Sequence, residues 1–161
     1  MKEKEISIEK IGLKAGLITS ISLVIYFFII RFFNLLSSEI AWGVNLIILS
    51  IAINLSYRYY RILTKPNIEY LPGMLLGGII TSVSTIIFTL FIYLYFESEA
   101  KFQLQLLNEN LLFMGGNVTP LKAAGATLIE GLTSGVIVSF ILMQYYKSGF
   151  KKSQSDTVIQ G

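Results

Sequence analysis

The chain has 161 residues, of which 53% are hydrophobic and only 14% are charged, and its formal net charge is +3. Soluble domains carry about 25% charged residues, so this composition excludes an ordinary water-soluble fold and favours an integral membrane protein. Cysteine and histidine are both absent. Their absence excludes thiol chemistry and removes the usual ligands of zinc, haem and iron–sulfur clusters, so no cofactor or metal site is predicted.

Four apolar runs follow one another along the chain, and each is long enough to cross a bilayer as a helix. Lys14 and Arg31 bracket the uncharged centre of the first run. Pro72 is expected in the first turn of the third helix, and Thr119 and Pro120 as the N-cap and first residue of the fourth. The predicted spans cover residues 11–36, 40–60, 72–96 and 120–146 within a single domain, residues 1–147.

Two segments outside these runs have a different character. The long connection before the fourth run contains FQLQLLNENLLF, whose apolar residues would share one side of an amphipathic helix on the membrane surface. Residues 148–161 are polar and are predicted to form a disordered cytoplasmic tail. The predicted fold is therefore all-α, an integral-membrane four-helix bundle with a surface helix in its long outer loop.

The first and third runs share a similar sequence. AGLITSISLVIYFFI begins at Ala15, and GGIITSVSTIIFTLF begins at Gly77. One interpretation is a duplication that produced two helical hairpins related by a parallel repeat. The alternative is chance similarity, because membrane helices draw on a small set of residue types.

The basic residues are distributed unequally between the two sides of the predicted bundle. Ten lie on one side and three on the other. Cytoplasmic segments of membrane proteins carry the excess of Lys and Arg, so both termini and the middle loop are predicted to be cytoplasmic. The ten residues are Lys2, Lys4, Lys10, Lys14, Arg58, Arg61, Lys65, Lys147, Lys151 and Lys152, and the three are Arg31, Lys101 and Lys122.

Small residues recur at intervals of four in three of the runs. Side chains of this size at this spacing let membrane helices approach closely, so these faces are predicted to pack inside the bundle. The alternative is that they line a conduction path or a dimer interface. The glycines expected at such contacts are Gly16 in the first run, Gly73 and Gly77 in the third, and Gly131 and Gly135 in the fourth.

Glu130 is the only acidic residue inside any of the four runs. An ionised carboxylate in hydrocarbon is costly, so such a residue marks a candidate functional site. We expect it to point into the bundle or a polar cavity, toward Asn45, Thr89 or Lys122. The alternative is a structural role, in which Lys122 partly neutralises the carboxylate and polar groups bond between helices.

The sequence offers little for catalysis. The only aspartate is Asp156 in the tail, so an intramembrane aspartyl pair is absent, and without histidine a serine–histidine dyad cannot form. We therefore predict that the protein is not an enzyme. Its basic segments are expected to face anionic lipid headgroups and not nucleic acid.

The turn NIEYLPGMLLGG, the long outer loop and the final EGLTSGVIVSFILMQYYK resemble a bacterial inner-membrane family of about this length, known as a domain of unknown function. The resemblance implies four helices in a bacterial inner membrane and supplies no activity or catalytic residue. Three functions remain as expectations. The leading one is a non-enzymatic membrane subunit that associates with other membrane proteins or with itself, and the alternative is a small oligomeric transporter or channel that uses Glu130 as a proton or cation site. The third, a phage-type or lipid-processing membrane factor, has no support from any residue.

The predicted orientation can be tested because the chain contains no cysteine. Single cysteines at Ser7, Ser37, Ser56, Asn108 and Ser153 should react with an impermeant thiol reagent in intact cells only at Ser37 and Asn108. Labelling of Ser153 from outside would contradict the orientation.

Overall fold

The computed structural model describes residues 8–33, 39–64, 70–98 and 119–158, with side chains described for 8–33, 43–63, 70–98 and 119–146. Within these ranges the chain forms four helices and no strand, which confirms the predicted all-α bundle. The helices are α1 (Ile8–Phe32), α2 (Glu39–Thr64), α3 (Tyr70–Ser98) and α4 (Pro120–Val158).

Three stretches of the described chain are long and apolar enough to span a membrane: α1, α3 and Pro120–Tyr146 of α4. The shortest has 25 residues, and at 1.5 Å per residue it exceeds a hydrocarbon core of roughly 30 Å. The chain is therefore a membrane protein. Among the described residues, α2 is not one of the helices that meet both conditions, so its crossing of the membrane stays a prediction.

Each helix extends past its predicted span at one end or at both, and two of these extensions can be explained. α1 begins at Ile8 because Ile8 and Ile11 pack against the buried core. α4 continues to Val158, whereas a disordered tail was predicted from Ser148. The sequence after Pro120 contains no proline, so nothing removes a backbone donor, and each added residue closes one more helical hydrogen bond.

The predicted start of α4 agrees with the structure. The backbone N–H of Lys122 donates to the side-chain oxygen of Thr119 at 3.3 Å, which is the bond that an N-cap residue forms. Pro72 lies in the first turn of α3, where its missing N–H costs nothing. The amphipathic helix expected in the outer loop lies outside the described residues.

α3 is the central helix and packs extensively on both α1 and α4. A Cβ atom placed on Gly12 would meet Ile79, and one on Gly16 would meet Val83, so α1 and α3 run in the same direction. α1 and α4 do not contact each other within the described chain, while α2 contacts all three other helices. α1 and α4 therefore occupy diagonal positions in the bundle, and α2 and α3 both contact each of them. The candidate repeat of two hairpins stays a prediction.

The contact between α3 and α4 is built from small residues on both helices. Gly131 faces Thr85, and Gly135 faces Thr81. Because the numbers rise on one helix as they fall on the other, the two helices are antiparallel. A Cβ atom on Gly131 would lie 2.5 Å from the Thr85 methyl group, and one on Gly135 would lie 2.7 Å from Thr81 Cβ. These glycines allow the backbones to approach closely.

The other glycines singled out from the sequence also lie at buried positions. A Cβ on Gly77 would come within 2.6 Å of the Tyr57 hydroxyl and 2.8 Å of Ser139 Cβ. A Cβ on Gly16 would lie 2.8 Å from Val83 Cβ, and Gly73 is buried near the start of α3. The small faces thus lie at contacts between helices.

Two hydrophobic clusters fill the interior on either side of the small-residue contacts. The first holds Phe27, whose ring lies 5.4 Å from that of Phe91 and 4.9 Å from that of Tyr95, both edge-on. Arg31 places its guanidinium 4.8 Å from the Tyr95 ring at the same end. The second cluster is centred on Ile53, Tyr57, Leu76 and Ile80, which are fully buried.

The close contact of α3 with α4 predicts a strong position dependence of stability. Gly131→Leu would force the helices apart and should lower the unfolding free energy by about 3 kcal/mol or more, since overpacking strains both backbones. Leu132→Ile on the neighbouring position should cost less than about 1.5 kcal/mol. Thermal unfolding in detergent measures both variants, and equal melting temperatures would show that Gly131 is not at a tight contact.

Candidate functional site

A cleft opens between α2 and α4 in the half of the bundle that contains Glu130. Its volume is about 50 Å³. A water molecule occupies roughly 30 Å³ of liquid, so the cleft accommodates one or two small polar groups. The residues lining it are Leu23 of α1, Asn45, Leu46 and Leu49 of α2, Thr85 and Phe88 of α3, and Thr127, Glu130, Gly131 and Ser134 of α4.

Glu130 combines a position in mid-span with partial exposure on the surface of the bundle. It lies ten residues after Pro120, which is about 15 Å along the helix axis. A side chain on this surface at this depth faces acyl chains unless another molecule covers it. Among the described residues no opposite charge lies close to Glu130, so the bundle itself does not compensate the carboxylate.

Asn45 enters the cleft from α2 and brings a second uncompensated acceptor. Its Oδ1 atom is buried and accepts no hydrogen bond from the described part of the chain. A buried amide oxygen without a donor costs about 1–3 kcal/mol. The described chain therefore leaves this cost uncompensated in a residue that lines the cleft.

The hydroxyl groups in the cleft add further acceptors. Ser134 donates to the backbone carbonyl of Glu130 at 2.7 Å, and Thr127 donates to the carbonyl of Ala123 at 2.9 Å. Each hydroxyl carries a single hydrogen. With that hydrogen engaged along the helix, the two oxygens present only lone pairs to the cleft.

The four polar residues predicted as a site are therefore only partly brought together. Glu130 and Asn45 share the cleft, whereas Thr89 is not among its lining residues, and the Thr89 hydroxyl is buried without a partner in the described chain. Lys122 is exposed and lies eight residues before Glu130, about 12 Å away along the axis. Lys122 is thus too far along α4 to neutralise Glu130.

Sequence reasoning did not assign Ser134 or Thr85 to this site. Ser134 follows Glu130 by four residues, so a helical projection places the two on one face. Thr85 belongs to the small-residue face of α3 and enters the cleft where it meets Gly131. The helix pairing that brings these residues together with Asn45 is not encoded in any local pattern.

A second polar contact ties α2 to α4 at the opposite end of the bundle. The Tyr146 hydroxyl donates to Asn54 Oδ1 at 3.1 Å, and the rings of Tyr146 and Tyr57 meet edge-on at 5.8 Å. The Tyr57 hydroxyl and Ser139 both converge on Gly77. α2 and α4 are therefore held together at this end, while the cleft lies between them near Glu130.

No family model, curated protein or solved structure matches the chain.

Two asparagines of α2 provide a matched test of this description. Asn45→Leu removes an acceptor that has no donor, so the melting temperature in detergent should stay the same or rise. Asn54→Leu leaves the Tyr146 hydroxyl without its acceptor and should cost about 1 kcal/mol of unfolding free energy. If Asn45→Leu were the more destabilising change, Asn45 would have a partner inside the bundle.

Proposed function

We propose that the protein is a non-enzymatic membrane subunit that acts by binding another membrane helix beside the α2–α4 cleft, with a side chain of that helix entering the cleft. The observation that carries this proposal is Glu130, a mid-span carboxylate on the edge of the cleft with no opposite charge beside it in the described chain. Charged groups inside membranes pair with one another or face a polar cavity. An associating helix with a positively charged side chain would pair with the Glu130 carboxylate.

The polar atoms that line the cleft limit which side chain can bind there. Glu130, Asn45 and Ser134 all line the same small space, where Glu130 and Ser134 carry oxygen acceptors. The occupant must therefore bring hydrogen-bond donors, and a positive charge is the best match for the carboxylate. Leu46 and Leu49 on the α2 side supply apolar contact around this polar centre.

A non-enzymatic role accords with the side chains available. The Ser134 hydroxyl donates to its own helix backbone, and the chain contains no histidine or cysteine. A serine nucleophile needs a neighbouring general base, which is not among the cleft residues apart from Glu130 itself. We propose no cofactor. The bilayer and other membrane proteins, including further copies of this chain, are the proposed partners.

The proposed location is the bacterial inner membrane with both termini in the cytoplasm. The ten-to-three division of basic residues supports this orientation. The contacts between helices also fit it, because α3 runs parallel to α1 and antiparallel to α4. Ser56 is buried in α2, so Ile62, which is 81% exposed, is the better labelling position for the middle loop.

A second candidate function is a small transporter that uses Glu130 as a proton or cation site. The acceptor lining and the volume of about 50 Å³ favour it, since both fit a small cation. Ion flux into proteoliposomes distinguishes the two functions. A transporter with Glu130→Gln would keep its fold and lose flux, whereas a non-transporting subunit shows no flux with either residue.

Lateral binding at the cleft can be tested in native membranes by site-specific photocrosslinking. A photoreactive residue at Leu46 or Ser134, both in the cleft, should form a discrete product with a membrane polypeptide. Leu90 is the matched control because it is 57% exposed on α3 and does not line the cleft. Products of equal yield from Leu90, or lipid adducts alone from the cleft, would contradict the proposal.

A further inference from the structure

We propose that the occupant of the α2–α4 cleft is α1 of a second copy of this chain, which inserts Lys14 beside Glu130. This inference rests on the proposed function and specifies its partner. It follows from the charge of Lys14, its depth in the bundle, the face of α1 on which it lies and the acceptors of the cleft.

Lys14 is an exposed residue on α1, six residues after the start of the helix. No hydrogen bond or ion pair joins it to another residue of the described chain. The side chain therefore projects from the bundle toward the surrounding membrane. It is thus a cation on the outer surface of the bundle, as Glu130 is a carboxylate on that surface.

The two charges lie at similar depths. Gly12 and Gly16 of α1 lie level with Ile79 and Val83, so Lys14 is level with Thr81 of α3. Thr81 in turn faces Gly135 of α4. Lys14 is thus one to one and a half turns nearer the cytoplasm than Glu130, about 7 Å along the axis. Because side chains tilt toward the N-terminus of their own helix, the four-carbon stem of Lys14 must extend back along α1 to cover this distance.

Lys14 cannot neutralise Glu130 within one copy. α1 and α4 do not contact each other in the described chain. Leu23 lines the cleft from the buried side of α1, whereas Lys14 lies on the exposed side of the same helix. The cation and the carboxylate therefore point away from each other, and only another molecule can bring them together.

The surface around Lys14 is suited to helix packing. Four large aliphatic residues extend from it along the same side of α1, since they recur at three- and four-residue intervals. Their exposed fractions lie between 49% and 59%, and they are Leu17, Ile18, Ile21 and Ile25. Leu46 offers apolar surface at the cleft. Lysine presents three donors from a compact ammonium group. These donors match the acceptors of Glu130 and Ser134.

The proposed contact joins two different surfaces of the molecule. An interface of this kind is heterologous, and repetition by a constant rotation produces a closed ring. All copies have the same orientation in the membrane, so the rotation axis is the membrane normal. Each copy would then supply one Lys14 and accept another.

The test uses two differently tagged copies in the same membrane. Leu17→Cys on one copy and Ser134→Cys on the other should form an intermolecular disulfide on oxidation, because Leu17 lies level with the cleft. Ile86→Cys is the matched control for Leu17→Cys, since Ile86 is 57% exposed at a similar depth on α3. A Leu17–Ser134 product no more abundant than the Ile86–Ser134 product would overturn the inference.

The role of the charges is tested in the same assay. Lys14→Gln or Glu130→Gln should reduce the Leu17–Ser134 product on the order of tenfold, the change produced by a coupling of about 1.4 kcal/mol. The exchange of Lys14→Glu with Glu130→Lys should restore it. Helical circular dichroism checks folding, and Lys14→Gln alters only an exposed position. A crosslink unaffected by these changes would overturn the pairing of Lys14 with Glu130.

The inference and the proposed function can fail separately. If photocrosslinking from Ser134 captures a different membrane protein in place of this chain, self-association through Lys14 is overturned while the subunit function is supported. If neither photocrosslinking nor cysteine oxidation gives a polypeptide product from the cleft, both are overturned.

Discussion

The close approach of α3 to α4 is the constraint on which the rest of the bundle depends. Glycines on each helix meet hydroxyl-bearing residues on the other, as in the pairs Gly135 with Thr81 and Gly77 with Ser139. In lipid, helices gain little from hydrophobic association, so van der Waals contact between closely packed backbones supplies much of the stability. α3 also packs extensively against α1, so it links the two helices, α1 and α4, that do not contact each other.

The position of α2 beside the paired helices α3 and α4 creates the candidate site. α2 bonds to α4 through Asn54 and Tyr146 at one end, and at the other end the two helices border a cleft that contains Glu130 and Asn45. The tightly packed half stabilises the bundle, whereas binding of a donor to an unsatisfied acceptor in the other half would lower the free energy. Residues of the same two helices therefore contribute to stability at one end and to the candidate site at the other.

A charged residue inside a membrane span is informative because placing a charge in hydrocarbon costs free energy. Lys14 and Glu130 both lie on spanning helices and on the outside of the bundle, where soluble proteins would carry charges without consequence. In hydrocarbon each needs a partner or a route to water. Their separation on opposite sides of the molecule explains why a single copy leaves both unpaired. The proposed contact would therefore join the α1 surface of one copy to the α2–α4 cleft of the next.

The sequence by itself determined the helical class, the membrane environment, the N-cap at Thr119 and the small faces at Gly131 and Gly135, because these depend on local composition and helical periodicity. It also singled out Glu130, because an acidic residue inside an apolar run is recognisable from local composition. Only the tertiary structure decided that Asn45 of α2 and Thr85 of α3 line one cleft with Glu130. Those relations depend on which helices are neighbours and on their relative depth, and such nonlocal contacts leave no periodic signal in any one segment.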